Sequence, residues 1–279
     1  MQKGIEEIDF KEYLKVLKEH SPYDFSDYSD NSISRRVHKV MRDFRISFDE
    51  LIEKTKNDGA FVEQIVQSLA VKTTELFRDP QLWKFLMEKI YPAFQKRANI
   101  NIWHAGCSSG QEVYSNLILL DYMKLLDKTT IFATDLSKKV LDQAKKGVYK
   151  YNFNKGYIDN FNQVFSHREI DFKNYIDINE QEDKLMIKGF LPEKVKFIKH
   201  DLVQEQLPFY TKFDIIFCRN VLIYFNISLQ SKIINCYYQN LFPGGMLILG
   251  IHETITGFYK TKFLKNGLVY NKSNAFHFK

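Results

Sequence analysis

Long apolar runs are missing from this 279-residue chain: no stretch approaches the ~18 apolar residues that a membrane span needs. The first ten residues, MQKGIEEIDF, hold no apolar core of a secretion signal. Cysteine is scarce. Cys107, Cys218 and Cys236 are odd in number and stand at no metal-ligand spacing, so a disulfide framework and a zinc ribbon are excluded. Reduced thiols and a cytoplasmic location are the expectation, with no metal. There is no internal repeat and no low-complexity tract. No Gly-Lys-Ser/Thr follows a glycine turn, which excludes a Walker loop, and no Asn-Pro-Pro-Tyr motif of base methylation occurs. What remains is ordinary globular material, 44% hydrophobic and 27% charged, long enough for one large or two modest domains.

The net charge of +6 is concentrated in one place. Between Ile33 and Arg45 stand Arg35, Arg36, Lys39, Arg42 and Arg45 against the single acid Asp43. Val37, Val40, Met41 and Phe44 fall at i, i+3, i+4, i+7 and share one helix face. At ~100° per residue, Arg35, Lys39 and Arg42 gather opposite them. Such density exceeds what solubility asks and suits an acidic partner. With no second basic patch, nucleic acid is disfavoured as that partner.

Residues 1 to about 90 read as helical. Ile5, Ile8, Tyr13, Leu14 and Leu17 recur at helical spacing, and Ser47 with Glu50 forms a capping box. Phe61 to Leu69 is a further helix, and Asp79-Pro80 reads as N-cap and N1 of another. From residue 91 the pattern becomes α/β. Ile100 to Trp103 is a strand, Gly106 to Gly110 a turn of small residues, and Glu112 to Leu120 a helix. Thr130 to Asp135 is a second strand ending in an acid, followed by a helix that Ser137 can cap and Gly147 close. Residues 151 to 194 interrupt the rhythm, with alternating tracts over Phe172 to Ile187 that suggest a small antiparallel insertion. Val195 to Asp201 is a third strand, again closed by an acid, and Phe213 to Cys218 a fourth, apolar enough to be buried on both faces. It discharges into Arg219 and Asn220. Met246 to Gly250 is another strand, His252 and Glu253 follow it, and Leu268 to Tyr270 is the last strand. His104, His200 and His252 form no metal spacing and read as structural or cleft-lining. Cys107 and Cys218 read as packing residues.

An acid at the end of the second strand suits the ribose hydroxyls of an adenosine ligand. The glycine turn leads into Gln111-Glu112, and a carboxylate there repels a pyrophosphate. It attracts a cation instead. S-adenosylmethionine (SAM) carries an ammonium and a sulfonium, so the charge favours it over a dinucleotide.

Four blocks then carry a resemblance: Thr73-Thr-Glu-Leu-Phe-Arg-Asp79, Ala105-Gly-Cys-Ser-Ser-Gly-Gln-Glu-Val-Tyr-Ser115, Phe132-Ala-Thr-Asp135 and Phe213-Asp-Ile-Ile-Phe-Cys-Arg-Asn-Val-Leu-Ile-Tyr-Phe225. In this order and content the chain resembles the CheR-type methyltransferases, which use SAM to methylate glutamate side chains of chemotaxis receptors. The resemblance implies a Rossmann-like SAM-dependent methyltransferase domain over 91–279, with a β-subdomain at about 160–193, behind an all-helical domain over 1–90. It implies cofactor contacts at Thr74, Arg78, Gly106, Glu112, Asp135, Asp201, Leu202, Arg219 and Asn220. Arg78 and Tyr224 would orient the substrate carboxylate, and Arg35, Arg36, Lys39 and Arg42 would dock the helical part of a receptor. A receptor's C-terminal tether at the β-subdomain is a further partner that resemblance allows. Lys72, Gln111 and Val113 depart from the family's usual Asn, Glu and Pro. Two other readings stay open: a methyltransferase acting on another protein or a nucleic acid, and a non-catalytic module that binds SAM or its product, S-adenosylhomocysteine.

Overall fold

A computed structural model describes residues 10–69, 74–154, 156–203 and 206–273. Ile5, Ile8, Thr73 and the departure at Lys72 lie outside the described residues. The chain divides into two compact units, one of residues up to Val71 with Leu222–Lys232, the other of Lys72–Val221 with Ile233–Lys279. The expected boundary at residue 90 is therefore corrected. Leu82, Trp83, Leu86 and Met87 are buried in the core of the second unit.

The first unit consists of α1 (Phe10–Glu19), α2 (Asp30–Phe44), α3 (Phe48–Asn57) and α4 (Gly59–Leu69). Ser47 starts α3 as its sequence requires: its hydroxyl accepts from the Glu50 amide and Glu50 accepts from the Ser47 amide. Tyr13, Leu17, Ile33, Val37, Leu51, Ile65 and Leu69 are fully or nearly fully buried and form the bundle's interior. A segment from far downstream closes it. Phe225 bridges Tyr28, the Ser29 amide donates to the Tyr224 carbonyl at 2.9 Å, and the Asn226 amide donates to the Asp27 carbonyl at 2.9 Å.

The second unit holds β1 (Ile100–Ala105), β2 (Thr129–Asp135), β3 (Val148–Lys150), β4 (Ile176–Asn179), β5 (Lys184–Ile187), β6 (Val195–Lys199), β7 (Phe213–Cys218), β8 (Leu241–Leu249), β9 (Phe263–Asn266) and β10 (Val269–Lys272). Its helices are α5 (Pro80–Phe85), α6 (Gln111–Tyr122), α7 (Lys138–Lys146), α8 (Gly156–Val164) and α9 (Ile227–Asn240), the last beginning in the first unit. Seven strands form one sheet in the order β6-β2-β1-β7-β8-β10-β9. Neighbours from β6 to β8 run parallel, while β10 is antiparallel to both β8 and β9. The strand order reverses between β1 and β7, so a crevice is expected beyond their carboxyl ends. β7 is buried at every position, as its apolar run requires.

Three readings need adjustment. The small antiparallel sheet, β3-β5-β4, begins at Val148, so the insertion starts earlier than 160. The helix from Pro80, expected to run to about Ile90, is α-helical only to Phe85 and continues as a π turn at Leu86–Ile90 and a 3-10 turn at Tyr91–Phe94. β9 pairs with β10 across the two-residue loop Gly267-Leu268, with Gly267 at φ +58°. The turn glycine was the available signal for that hairpin.

Candidate functional site

Four of the non-glycine residues with positive φ sit in segments that carry candidate site residues: Phe77 (52°), Asp79 (58°), Ser108 (51°) and Asn220 (59°). Each costs backbone energy of order 1 kcal/mol or more, sustained where surroundings over-determine the conformation. At Phe77 the surroundings are plain. Its side chain is fully buried against Trp83, Phe161 and Phe165, and its amide donates to Ser115 Oγ at 2.7 Å. The Arg78 carbonyl accepts from Trp83 Nε1 at 2.9 Å and from Arg219 at 3.2 Å. Arg78 thus stands on a pinned turn, its side chain half-buried.

Asp79 precedes α5 in the left-handed region and makes no cap bond through its side chain, which corrects its reading as a capping residue. Its carboxylate pairs with Arg219 at 2.5 Å. Arg219 also pairs with Glu112 at 3.1 Å, and its side chain is only 1% exposed. The guanidinium holds two carboxylates and a carbonyl, while its buried Nε has no partner among the described residues. The carboxylates of Asp79 and Glu112 against one guanidinium leave one net negative charge. That is the sign a cationic ligand requires.

Glu112 opens α6, and its other oxygen accepts from His104 Nδ1 at 2.9 Å. Burial alone would push the Glu112 carboxyl up; the His104 hydrogen bond and the Arg219 guanidinium outweigh it and hold it below its ordinary value. His104 is fully buried and stacked on Phe217 with ring centres 4.4 Å apart. Sequence reading left His104 a generic strand-end histidine. Its position eight residues before Glu112, across the glycine turn, was the available signal.

At the end of β2 the Asp135 carboxylate accepts the amides of Ser108 (2.9 Å) and Ser137 (3.0 Å). Each oxygen accepts one of these amides, which fixes the carboxylate plane at the strand end. Ser137 occupies the N-cap of α7, yet its hydroxyl makes no cap bond. The buried hydroxyls of Ser108 and Ser137 both lack a partner among the described residues. Unsatisfied buried hydroxyls beside a carboxylate fit the polar rim of a sugar.

Gly106 sits at φ +72°, and a Cβ there would lie 2.6 Å from Val221 Cγ2. Packing and conformation already dictate this glycine. Beyond β7, the Asn220 and Gly250 amides both donate to Glu253 Oε2 at 2.7 Å, tying two strand ends together. Asp201 accepts the Val203 amide at 2.9 Å in a local turn, with Leu202 half-buried between them. Thr74 lines a cavity of about 260 Å³ with Gln111, Tyr149 and Tyr157. Gln111, one of the departures, is buried there, its amide engaged by Ser109 and Tyr157, while Val113 is fully buried in the core.

In the first unit, α2 exposes Arg35, Lys39 and Arg42. Arg36 differs: it is half-buried, donates to the Leu69 carbonyl and lies 4.3 Å from the Tyr224 ring centre. It stands apart from the exposed face that Arg35, Lys39 and Arg42 form. Among the described residues no helix is long and apolar enough to cross a membrane, and no group of three His, Cys, Asp or Glu side chains could hold a metal.

An α/β sheet with a net negative Asp79–Arg219–Glu112 cluster and an acid closing its second strand has the charge that a cationic adenosine ligand requires. The chain belongs to the CheR methyltransferase family. Residues 72–268 match the family's SAM-binding domain and residues 8–70 its all-alpha domain. Its cofactor is accordingly SAM. Chemotaxis protein methyltransferases similar to it include one from Vibrio parahaemolyticus, 34% identical over 69% of this chain and 68% of that one. One from Borreliella burgdorferi is 33% identical over 74% and 72%, and one from Vibrio cholerae 29% over 91% of each.

Proposed function

We propose that this enzyme transfers the methyl group of SAM to glutamate side-chain carboxylates of chemotaxis receptors, giving methyl esters and S-adenosylhomocysteine. The relatives' chemotaxis names support the receptor as substrate. The net negative Asp79–Arg219–Glu112 cluster carries the cofactor reading.

In this reading Glu112 receives the cofactor's ammonium and Asp135 the ribose hydroxyls. Asp201 and Leu202 flank the adenine, Gly106, Thr74 and Asn220 line the remaining surface, and Arg219 acts through Glu112. Bound SAM supplies an electrophilic methyl on sulfur. A substrate glutamate, with an ordinary pKa of ~4.3, is already ionised at neutral pH, so the protein need supply no general base. Positioning and removal of water from the nucleophile remain to be supplied. Arg78 and Tyr224 orient the carboxylate. A partial contact from Arg78, rather than a tight bidentate pair, would leave the nucleophile its reactivity. The exposed Arg35, Lys39 and Arg42 steer an acidic receptor helix.

Incubation with methyl-labelled SAM and a receptor's cytoplasmic fragment should place base-labile label on the receptor. Label on nucleic acid, or none, refutes the proposal. Arg78→Ala should cut transfer about a hundredfold. Near-full transfer by that variant removes Arg78 from its role.

A further inference from the structure

Behind Glu112 runs a line of buried polar groups that binding of the cofactor does not by itself require. His104 meets Glu112 through Nδ1 at 2.9 Å and Asn116 through Nε2 at 3.0 Å. Asn116 in turn accepts the hydroxyl of Tyr91 at its Oδ1. All three residues are buried, His104 and Asn116 completely. Their donors and acceptors can be assigned in order. The Tyr91 hydroxyl, with no other partner among the described residues, donates to Asn116 Oδ1, so the Asn116 amide turns its Nδ2 hydrogens toward His104. Nε2 must then be the bare nitrogen, and Nδ1 carries the proton that Glu112 accepts. Ring stacking on Phe217, itself stacked on Trp83, fixes the imidazole plane. The tautomer and the plane are both dictated from behind, and both point one N–H at one carboxylate oxygen.

We propose that His104 is a positioning residue of the cofactor site, its Nδ1–H, oriented by Tyr91 and Asn116, aiming the Glu112 carboxylate at the cationic end of the cofactor. This rests on the assignment of Glu112 to the cofactor's ammonium. Arg219 fixes one carboxylate oxygen and His104 the other, so the carboxylate plane has no rotational freedom while both bonds stand. Removing the Nδ1 bond frees the plane and should weaken recognition of the ammonium alone, leaving adenosine recognition at Asp135 intact. Second-layer groups of this kind hold a binding group in geometry that the binding group cannot hold itself.

The full chain tests this by calorimetric binding of two ligands. S-adenosylhomocysteine has the amino-acid end, and 5′-deoxy-5′-methylthioadenosine has the adenosine and sulfur without it. Asparagine places an amide N–H where Nδ1 stands, whereas glutamine places one only toward Nε2. His104→Gln should lower the preference for S-adenosylhomocysteine over the truncated ligand about tenfold, the value of one hydrogen bond to a charged group. His104→Asn should keep that preference within about threefold, and KM for SAM should rise in the Gln variant more than kcat falls. An unchanged preference in His104→Gln overturns the proposal, as does a parallel loss of both ligands or equal loss in the two variants. Glu112→Gln is the separate control. If it keeps the preference, the assignment of Glu112 itself fails.

Discussion

Glu112 concentrates the residue-scale chemistry, because one carboxylate answers to both a guanidinium and an imidazole. Its carboxyl is held below the ordinary range in the folded state. A depressed carboxyl contributes stability that is fully present above its unfolded value of ~4.3 and is lost as pH falls through the folded value. Glu112→Gln should therefore lower unfolding stability by about 2 kcal/mol at pH 7, one charged hydrogen bond's worth, with the gap from wild type closing as pH falls below about 4. Urea unfolding at pH 7 and pH 3 checks this; a gap that widens in acid contradicts it. The acids at strand ends were legible in the sequence because a parallel strand's apolar run announces where its polar terminus must lie. The partners of those acids were not. Asp79 meets Arg219 across 140 positions and looked like a helix cap from its neighbour Pro80 alone. Asn116 shares a helix face with Glu112, four residues on, which was a visible hint of the buried line behind it.

At the scale of elements, α2 turns one run of bases to two sides. Hydrophobic periodicity placed Arg35, Lys39 and Arg42 outward, and they are exposed. Arg36, one position round the helix, is angled inward and stacks on Tyr224, a partner no local pattern could disclose. The two sets should separate in kinetics. Reversing Arg35, Lys39 and Arg42 to glutamate should slow transfer to an acidic receptor helix about tenfold or more at low salt and flatten the salt dependence, as loss of steering does. SAM affinity should be unchanged. Initial rates from low to physiological salt decide it: a triple variant with unaltered low-salt rates removes the docking role. The small sheet β3-β5-β4 shows the opposite limit of legibility. Its alternation was visible over Ile176 to Ile187, but Val148–Lys150 directly follows the glycine that closes α7 and reads as loop until β5 pairs with it.

Over the whole molecule, the chain leaves the second unit at Leu222, joins the first, and departs again after Lys232. Sequence could not show this, since Leu-Ile-Tyr-Phe continues the apolar character of β7 while its partners lie some 200 positions upstream. The return matters because it carries Tyr224. Tyr224 is held within the first unit by the Ser29 amide on its carbonyl, by Arg36 on its ring, and by Asn226 two residues later. Asn226 does double duty: its Nδ2 donates to Asp27 Oδ1 at 3.0 Å and its Oδ1 caps α9 through the Leu229 amide at 2.8 Å. If Tyr224 orients substrate, loosening this tie should cost turnover without costing cofactor. Asp27→Ala removes the side-chain tie but keeps the backbone bond and the cap. Its kcat should fall several-fold, in line with about 1 kcal/mol of lost positioning, while the SAM dissociation constant stays within twofold. Asn226→Ala loses the cap as well and should add about 1 kcal/mol of instability to the same kinetic defect. Equal kcat in wild type and Asp27→Ala would mean that the hold on Tyr224 does not limit transfer, and that the remaining backbone bonds suffice to place it.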